Sequence, residues 1–191
     1  MKRRQLKTEI ISKSFELFKE KGYNHTSIQD ICDACDITKP TFYKYMPSKD
    51  SLLSYYFSSL FDKIPEDWYH IPEKADCLAK IDEGFSFVIE RICDLGFDLY
   101  NEVFISNLNA YKGTFNDMMR FTDLIRDLIR EGQANGQIGN TADPLNLTRN
   151  AVGMSIGYGA YWCLNSAQND FLSDFLKGLH MMLMVPEEYA A

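Results

Sequence analysis

Histidine is scarce in this chain, with three in 191 residues (His25, His70 and His180), and no two of them stand at a spacing that would let them share a metal. No G-x-S-x-G turn and no phosphate-cradling glycine loop occurs either. These absences leave no catalytic constellation, so the chain is not expected to be an enzyme, and no cofactor or metal site is expected. The five cysteines are odd in number and scattered, which excludes a closed disulfide framework and suits a reducing compartment. Cys32-x-x-Cys35 has no second pair with which to hold zinc, and the two are read as filling the core of a short helix. No uninterrupted apolar run approaches the ~20 residues of a membrane span. The opening "MKRRQLKTEIISK" is broken by Gln5, Thr8 and Glu9, so it is not a signal-peptide core. A soluble, cytoplasmic protein is expected, in which the sequons at Asn24 and Asn146 carry no glycan. No alternating strand pattern and no internal repeat is found.

What is present is an ordinary globular composition, 46% hydrophobic and 25% charged, sufficient for a core. Charge is unevenly distributed. Residues 1–50 hold 10 Lys and Arg against 7 Asp and Glu, whereas residues 51–191 hold 10 against 20. A basic end on an acidic body (net −7 overall) suits one end meeting a polyanion, whose affinity would come largely from displaced counterions.

Apolar periodicity is helical throughout. Leu6, Ile10, Ile11, Phe15, Leu17 and Phe18 recur at helical spacing, and Gly22 supplies a left-handed stop, so the first helix runs to about Lys21. In "HTSIQDICDAC", Thr26 is read as an N-cap with Gln29 three residues on, a capping box that starts a short second helix. Asp36 breaks the pattern and, as one of the few residues that tolerate positive φ, marks a tight turn. Thr38 then caps a two-turn third helix, Lys39 to Tyr45, with Pro40 in its first turn, where a missing N–H costs nothing. Met46 before Pro47 leaves helical conformation, and Ser48 caps a fourth helix. Two short helices across a turn, braced by a longer one, make a helix-turn-helix whose second member is the one that enters a major groove. On that helix Phe42 faces inward, while Lys39, Thr41, Tyr43, Lys44 and Tyr45 project elsewhere. Thr26, Ser27, Ser48 and Lys49 bring helix N-termini, hydroxyls and an ammonium to where phosphates would lie.

The run "GYNHTSIQDICDACDITKPTFYKYMPSKDSLL", Gly22 to Leu53, resembles the DNA-binding signature of TetR-family transcriptional regulators. Its parts are an aromatic after glycine, a Thr-led second helix, a turn, a Pro-Thr-aromatic-Tyr recognition helix, then Pro-Ser-Lys and paired leucines. The resemblance covers roughly the first quarter of the chain; the remainder matches only in layout. It implies an all-α fold: an N-terminal three-helix helix-turn-helix domain (residues 1–47), then a helical ligand-binding and dimerisation domain (residues 48–191), about nine helices in all. It places Thr26, Ser27, Thr38, Lys39, Pro40, Thr41, Tyr43, Lys44, Tyr45 and Lys49 at a DNA surface, Tyr43 and Lys49 on phosphate, Lys39 and Lys44 toward base edges. Asp36 departs from the family's usual glycine, and Ile28 stands where some members carry a polar base-reading residue. The basic start (Lys2, Arg3, Arg4, Lys7) either follows the DNA backbone, enters a minor groove or is a disordered tail.

In the second part, helices are read at Asp76–Leu95, Gly96–Ala110, Phe115–Asn135, Asp143–Asn165 and Asp170–Met184, after a loop holding Pro65, Trp68 and Pro72. The last two present Gly153, Gly157 and Ala160, which permit close helix approach, and the stripe Leu172, Phe175, Leu176, Leu179 and Leu183. These residues form either an intramolecular core or, as the resemblance implies, half of a four-helix homodimer interface, which would set two heads on successive grooves ~34 Å apart. Aromatics are dense between the helices. Phe87, Phe104, Asn107, Tyr111, Phe121, Tyr158 and Trp162 are candidate walls of an effector pocket, with plain core as the alternative. The resulting expectation is a repressor on a palindromic DNA operator, released by a small-molecule effector. The competing reading is a helix-turn-helix protein for DNA organisation or partner binding without small-molecule control.

Overall fold

The structure, a computed structural model, describes residues 2–61, 64–70, 76–109 and 119–189. Among them stand nine α-helices and one 3₁₀ turn, with no strand: α1 (Lys2–Lys21), α2 (Ile28–Ala34), α3 (Lys39–Tyr45), α4 (Lys49–Phe61), the turn Glu66–Tyr69, α5 (Cys77–Leu95), α6 (Phe97–Asn109), α7 (Met119–Asn135), α8 (Pro144–Leu164) and α9 (Phe171–Leu183). The expected Tyr111, Pro72 and the expected helix start at Phe115 fall outside the described residues, as do the side chains of Lys2, Arg3 and Arg4.

Local chemistry sets the boundaries. Gly22 at φ 84°, Gly96 at φ 91° and Gly136 at φ 85° take the left-handed conformation that follows α1, α5 and α7. Asp76, Asp143 and Asp170 each accept a backbone N–H three residues on, starting α5, α8 and α9. The cap of α2 corrects the sequence expectation by one residue: it is Ser27, in a reciprocal box with Asp30, not Thr26 with Gln29. The Thr26 hydroxyl is turned away and donates to the Gly22 carbonyl at 2.9 Å, and Gln29 instead donates to Asp33 at 2.7 Å. At the next turn Asp36 holds φ 51° without a glycine.

The chain divides into two compact units, Met1–Ser59 with Asp98–Phe115, and Leu60–Phe97 with Asn116–Ala191. In the first, Ile10, Phe18, Ile31, Cys32, Phe42, Met46, Leu52 and Leu53 form the core of the helix-turn-helix. Distant α6 belongs to this unit: Tyr100 stacks parallel to Phe57 with centroids 6.1 Å apart, and Asn24 donates to Glu102 at 2.9 Å. In the second, α5, α7, α8 and α9 close around Ile81, Phe85, Ile125, Leu128, Ala151 and Phe171. Three residues of the expected dimer stripe are corrected here. Phe175, Leu179 and Leu183 are fully buried within the protomer, Phe175 packing on Phe85 at 4.8 Å, so they belong to its own core.

Candidate nucleic-acid interface and effector cleft

The geometry of α3 follows from its cap and one anchor. Thr38 Oγ1 accepts the Thr41 N–H, starting the helix, and Phe42 is wholly buried, fixing its rotation. Lys39, Pro40, Tyr43 and Lys44 then face solvent, Tyr43 being 52% exposed with its ring edge-on to Phe42 at 5.6 Å. Residues four apart stand one above the other on a helix, so Lys39–Tyr43 and Pro40–Lys44 make two adjacent ridges. These ridges offer two ammonium groups, a phenol and an apolar ring, a set suited to guanine edges, phosphates and thymine methyls. Thr41 and Tyr45 are half-buried at the flanks, the Thr41 hydroxyl lying 3.0 Å from that of Thr38.

The neighbouring expectations fare differently. Thr26 is 1% exposed, and its hydroxyl is held by the turn after α1, so its role is structural. Ser27 is exposed, but its N–H donates to Asp30 Oδ2 at 2.7 Å while its hydroxyl accepts from Asp30 N at 3.1 Å. The Ser27 hydroxyl and backbone N–H hold the Asp30 carboxyl below the usual carboxylate range, so an anion sits at the start of α2, with the Lys21 ammonium 3.6 Å away. Lys49 is half-buried. Its ammonium donates to the carbonyls of Tyr23 at 2.8 Å and Thr26 at 3.1 Å and lies 4.0 Å from the Tyr23 ring centroid, and burial lowers its pKa. The Tyr23 hydroxyl donates to Asp50 at 2.6 Å; burial first, then that carboxylate, raises its pKa. Lys49, Tyr23 and Asp50 thus tie the start of α4 to the turn after α1. Cys32 and Cys35 are buried, and burial pushes both thiols up, as befits core residues.

The candidate effector residues do not converge on one cavity. Phe104 packs edge-on to Tyr100, and Asn107 donates to the Val103 carbonyl at 2.8 Å, both on α6. Phe121 is buried between Trp68, stacked at 5.6 Å, and Phe85. Trp162 packs on Phe97 and Phe171, and Tyr158 meets Phe175 edge-on at 6.2 Å. Among the described candidates, Phe87 lines a cleft of about 290 Å³, whose described walls are Ile64, Pro65, Trp68, Lys80, Glu83, Gly84 and Phe87, and Tyr158 lines a separate one. Trp68, Lys80 and Gly84 escaped sequence reasoning. A signal existed in Gly84, a glycine inside an otherwise apolar helical period, which marks close approach of another group.

Along α8, Gly153 and Gly157 are exposed, with nothing within 4 Å of where a Cβ would stand. Ala160, Leu172 and Leu176 are half-buried. Tyr161, Leu164 (83%) and Met181 (80%) are exposed apolar residues of the same two helices. No group of three or more His, Cys, Asp or Glu that could hold a metal is found among the described residues. No helix among them is long and apolar enough to cross a membrane.

Residues 10–56 match the family model described as bacterial regulatory proteins, tetR family. Among curated proteins, the HTH-type transcriptional regulator YuxN of Bacillus subtilis (strain 168) is 46% identical over 59 residues, 29% of this chain and 20% of YuxN's own length. The HTH-type transcriptional repressor DhaR of Mycobacterium sp. (strain GP1) is 24% identical over 156 residues, 75% of each chain. Among solved structures, Thermus thermophilus FadR, a TetR-family transcriptional repressor in complex with lauroyl-CoA, superposes with a TM-score of 0.71 at 19% identity, covering 97% of this chain and 98% of that one. The α1–α4 helix-turn-helix with its buried Phe42 and the match over residues 10–56 identify the N-terminal part of this protein as a DNA-binding region of the tetR-family type, and the likeness of fold to FadR extends along nearly the whole chain.

Proposed function

We propose that this protein is a cytoplasmic, sequence-specific transcriptional regulator that binds a palindromic operator as a homodimer, represses, and is released by a small-molecule effector. The observation that carries the reading is the exposed double ridge of α3, Lys39–Tyr43 and Pro40–Lys44, over a fully buried Phe42. In this reading Tyr43 touches phosphate, Lys39 and Lys44 reach base edges, and Thr38, Thr41, Tyr45 and Ser27 flank them. Lys49 contributes mainly by bracing the unit. Residues 1–47 read DNA, and residues 48–191 dimerise and sense. The exposed part of α8 and α9 (Gly153, Gly157, Ala160, Leu172, Leu176), widened by Tyr161, Leu164 and Met181, is the surface that pairs with a second copy. DhaR and FadR, both named as repressors, support repression, and the acyl-CoA bound to FadR supports effector control. Effector binding shifts α4, and the two heads then depart from the ~34 Å groove repeat, so they no longer dock together.

The test is selection of bound fragments from genomic DNA by purified protein, followed by binding titrations on the selected sequence. A palindrome is expected. Tyr43→Ala should weaken binding to all sequences, whereas Lys39→Ala should chiefly relax preference at one position by about 1–3 kcal/mol. Recovery of no enriched sequence would remove the operator from the proposal.

A further inference from the structure

We propose that the cleft between the Glu66–Tyr69 turn and α5 binds a compact aromatic monocarboxylic acid, its ring between Trp68 and Phe87 and its carboxylate on the Trp68 indole N–H and the Lys80 ammonium. The inference deepens the effector reading above and rests on it only for the consequence at DNA. Trp68 is 8% exposed, and its Nε1 is fully buried with no hydrogen-bond partner among the described residues. Buried donors are almost always paired, and an unpaired one on a residue that lines a cleft is a candidate receptor for an acceptor atom brought to it by a ligand. The indole is held in place for that task. Phe121 stacks on it at 5.6 Å, and a Cβ at Gly84 would overlap its benzo ring and stand 3.2 Å from Phe121, so only glycine leaves room for Trp68 at this point of α5.

The charge pattern selects the ligand. Lys80 lies one turn before Gly84 on the same face. Its ammonium is 5.9 Å from the Trp68 ring centroid and donates to the His70 carbonyl, which leaves two N–H donors available. Arg91 covers one face of Phe87, its guanidinium carbon 3.2 Å from the ring centroid, and adds a second positive charge beside the cleft. Glu83, exposed on the same lining, opposes a second negative charge and limits the ligand to one. With Ile64, Pro65, Trp68 and Phe87 as walls and a volume of about 290 Å³, the cleft holds one or two fused rings with a short acid group. A coenzyme A thioester, with its nucleotide and three phosphates, is too large and too anionic for it.

The experiment uses the full chain with Trp162→Phe, which leaves Trp68 as the sole indole, titrated with 2-naphthoate, its methyl ester and lauroyl-CoA while the Trp68 emission is read. Saturable binding of naphthoate is expected, with the ester at least ten-fold weaker. Lys80→Met should weaken naphthoate at least ten-fold and leave the ester unchanged; Glu83→Gln should tighten it. Trp68→Phe, which keeps a ring and removes the N–H, should weaken naphthoate when binding is followed by calorimetry. Equal affinity for acid and ester, no saturable response, or displacement of naphthoate by lauroyl-CoA from the Trp68 site would overturn the proposal. Operator release, measured on the same samples, separates the two readings. Naphthoate that binds with Lys80 dependence yet leaves the operator complex intact supports the site and removes the effector role. Release by lauroyl-CoA without naphthoate binding overturns the site and keeps effector control.

Discussion

Replacing Lys49 by methionine separates bracing from DNA contact. Its ammonium donates to two carbonyls, Tyr23 at 2.8 Å and Thr26 at 3.1 Å, and lies 4.0 Å from the Tyr23 ring. Hydrogen bonds to a charged group contribute about 1.5–3 kcal/mol each when well enclosed, and a cation over an aromatic face about 0.5–1 kcal/mol at an accessible site. Lys49 is only half-buried, and water can take over part of both carbonyls, so the loss should be about 2 kcal/mol in total. For a protein of this size that corresponds to a fall in Tm of about 4–8 °C. Methionine keeps much of the stem volume, so the loss would belong to the ammonium. The assay pairs thermal unfolding with the salt dependence of operator binding, measured well below the lowered Tm. Lys49→Met should lose stability and keep both the slope of log K against log salt and the sequence preference, whereas Lys39→Met should keep its stability and relax preference at one position of the operator. A Lys49→Met variant with unchanged Tm and a reduced slope would refute the reasoning and return Lys49 to the phosphates.

Two further outcomes follow from the caps and the buried carboxyl. Ser27→Ala removes the acceptor for Asp30 N at the start of α2; it should cost about 1 kcal/mol in denaturant unfolding, and Ser27→Gly less. Asp82 is half-buried on α5, with Oδ2 2.7 Å from His180 Nε2 and Oδ1 without a partner among the described residues. Burial raises its pKa above the ordinary 3.8 against the opposing pull of His180. A raised carboxyl pKa means that the folded protein holds this proton more tightly than the unfolded chain does. The contribution is therefore fully present below the ordinary value and is lost as pH rises through the folded value. Wild-type stability relative to Asp82→Asn should thus decline as pH rises above the ordinary 3.8; a difference that grows with pH would contradict the assignment.

Much of the architecture was written in local signals. Thr38, Asp76, Asp143 and Asp170 cap helices, and Asp36 takes the positive φ expected of it, because these are one-residue problems of hydrogen bonding and sterics. The second helix shows where local rules compete. Thr26 and Ser27 are both competent caps, and the choice fell to Ser27 because the Thr26 methyl and hydroxyl are buried against the turn at Gly22. Periodicity placed Phe175, Leu179 and Leu183 on one stripe but was silent on what lies across from it: Phe85 of the same protomer, a partner ninety residues away. The cleft was least legible. Its walls come from a short turn and from one face of α5, and aromatic residues chosen for density alone are mostly core.

The grouping of α6 with the first four helices bears on how regulators of this kind could be recombined. The simplest chimera would transplant the N-terminal helices alone onto a new body. Here a transplant cut after Ser59 would leave behind Tyr100, which stacks on Phe57, and Glu102, which receives the Asn24 amide. The incoming α6 would then have to offer an aromatic and an acceptor at the same two positions. The unit of exchange is therefore discontinuous, and a successful graft would carry residues 98–109 together with the N-terminal helices.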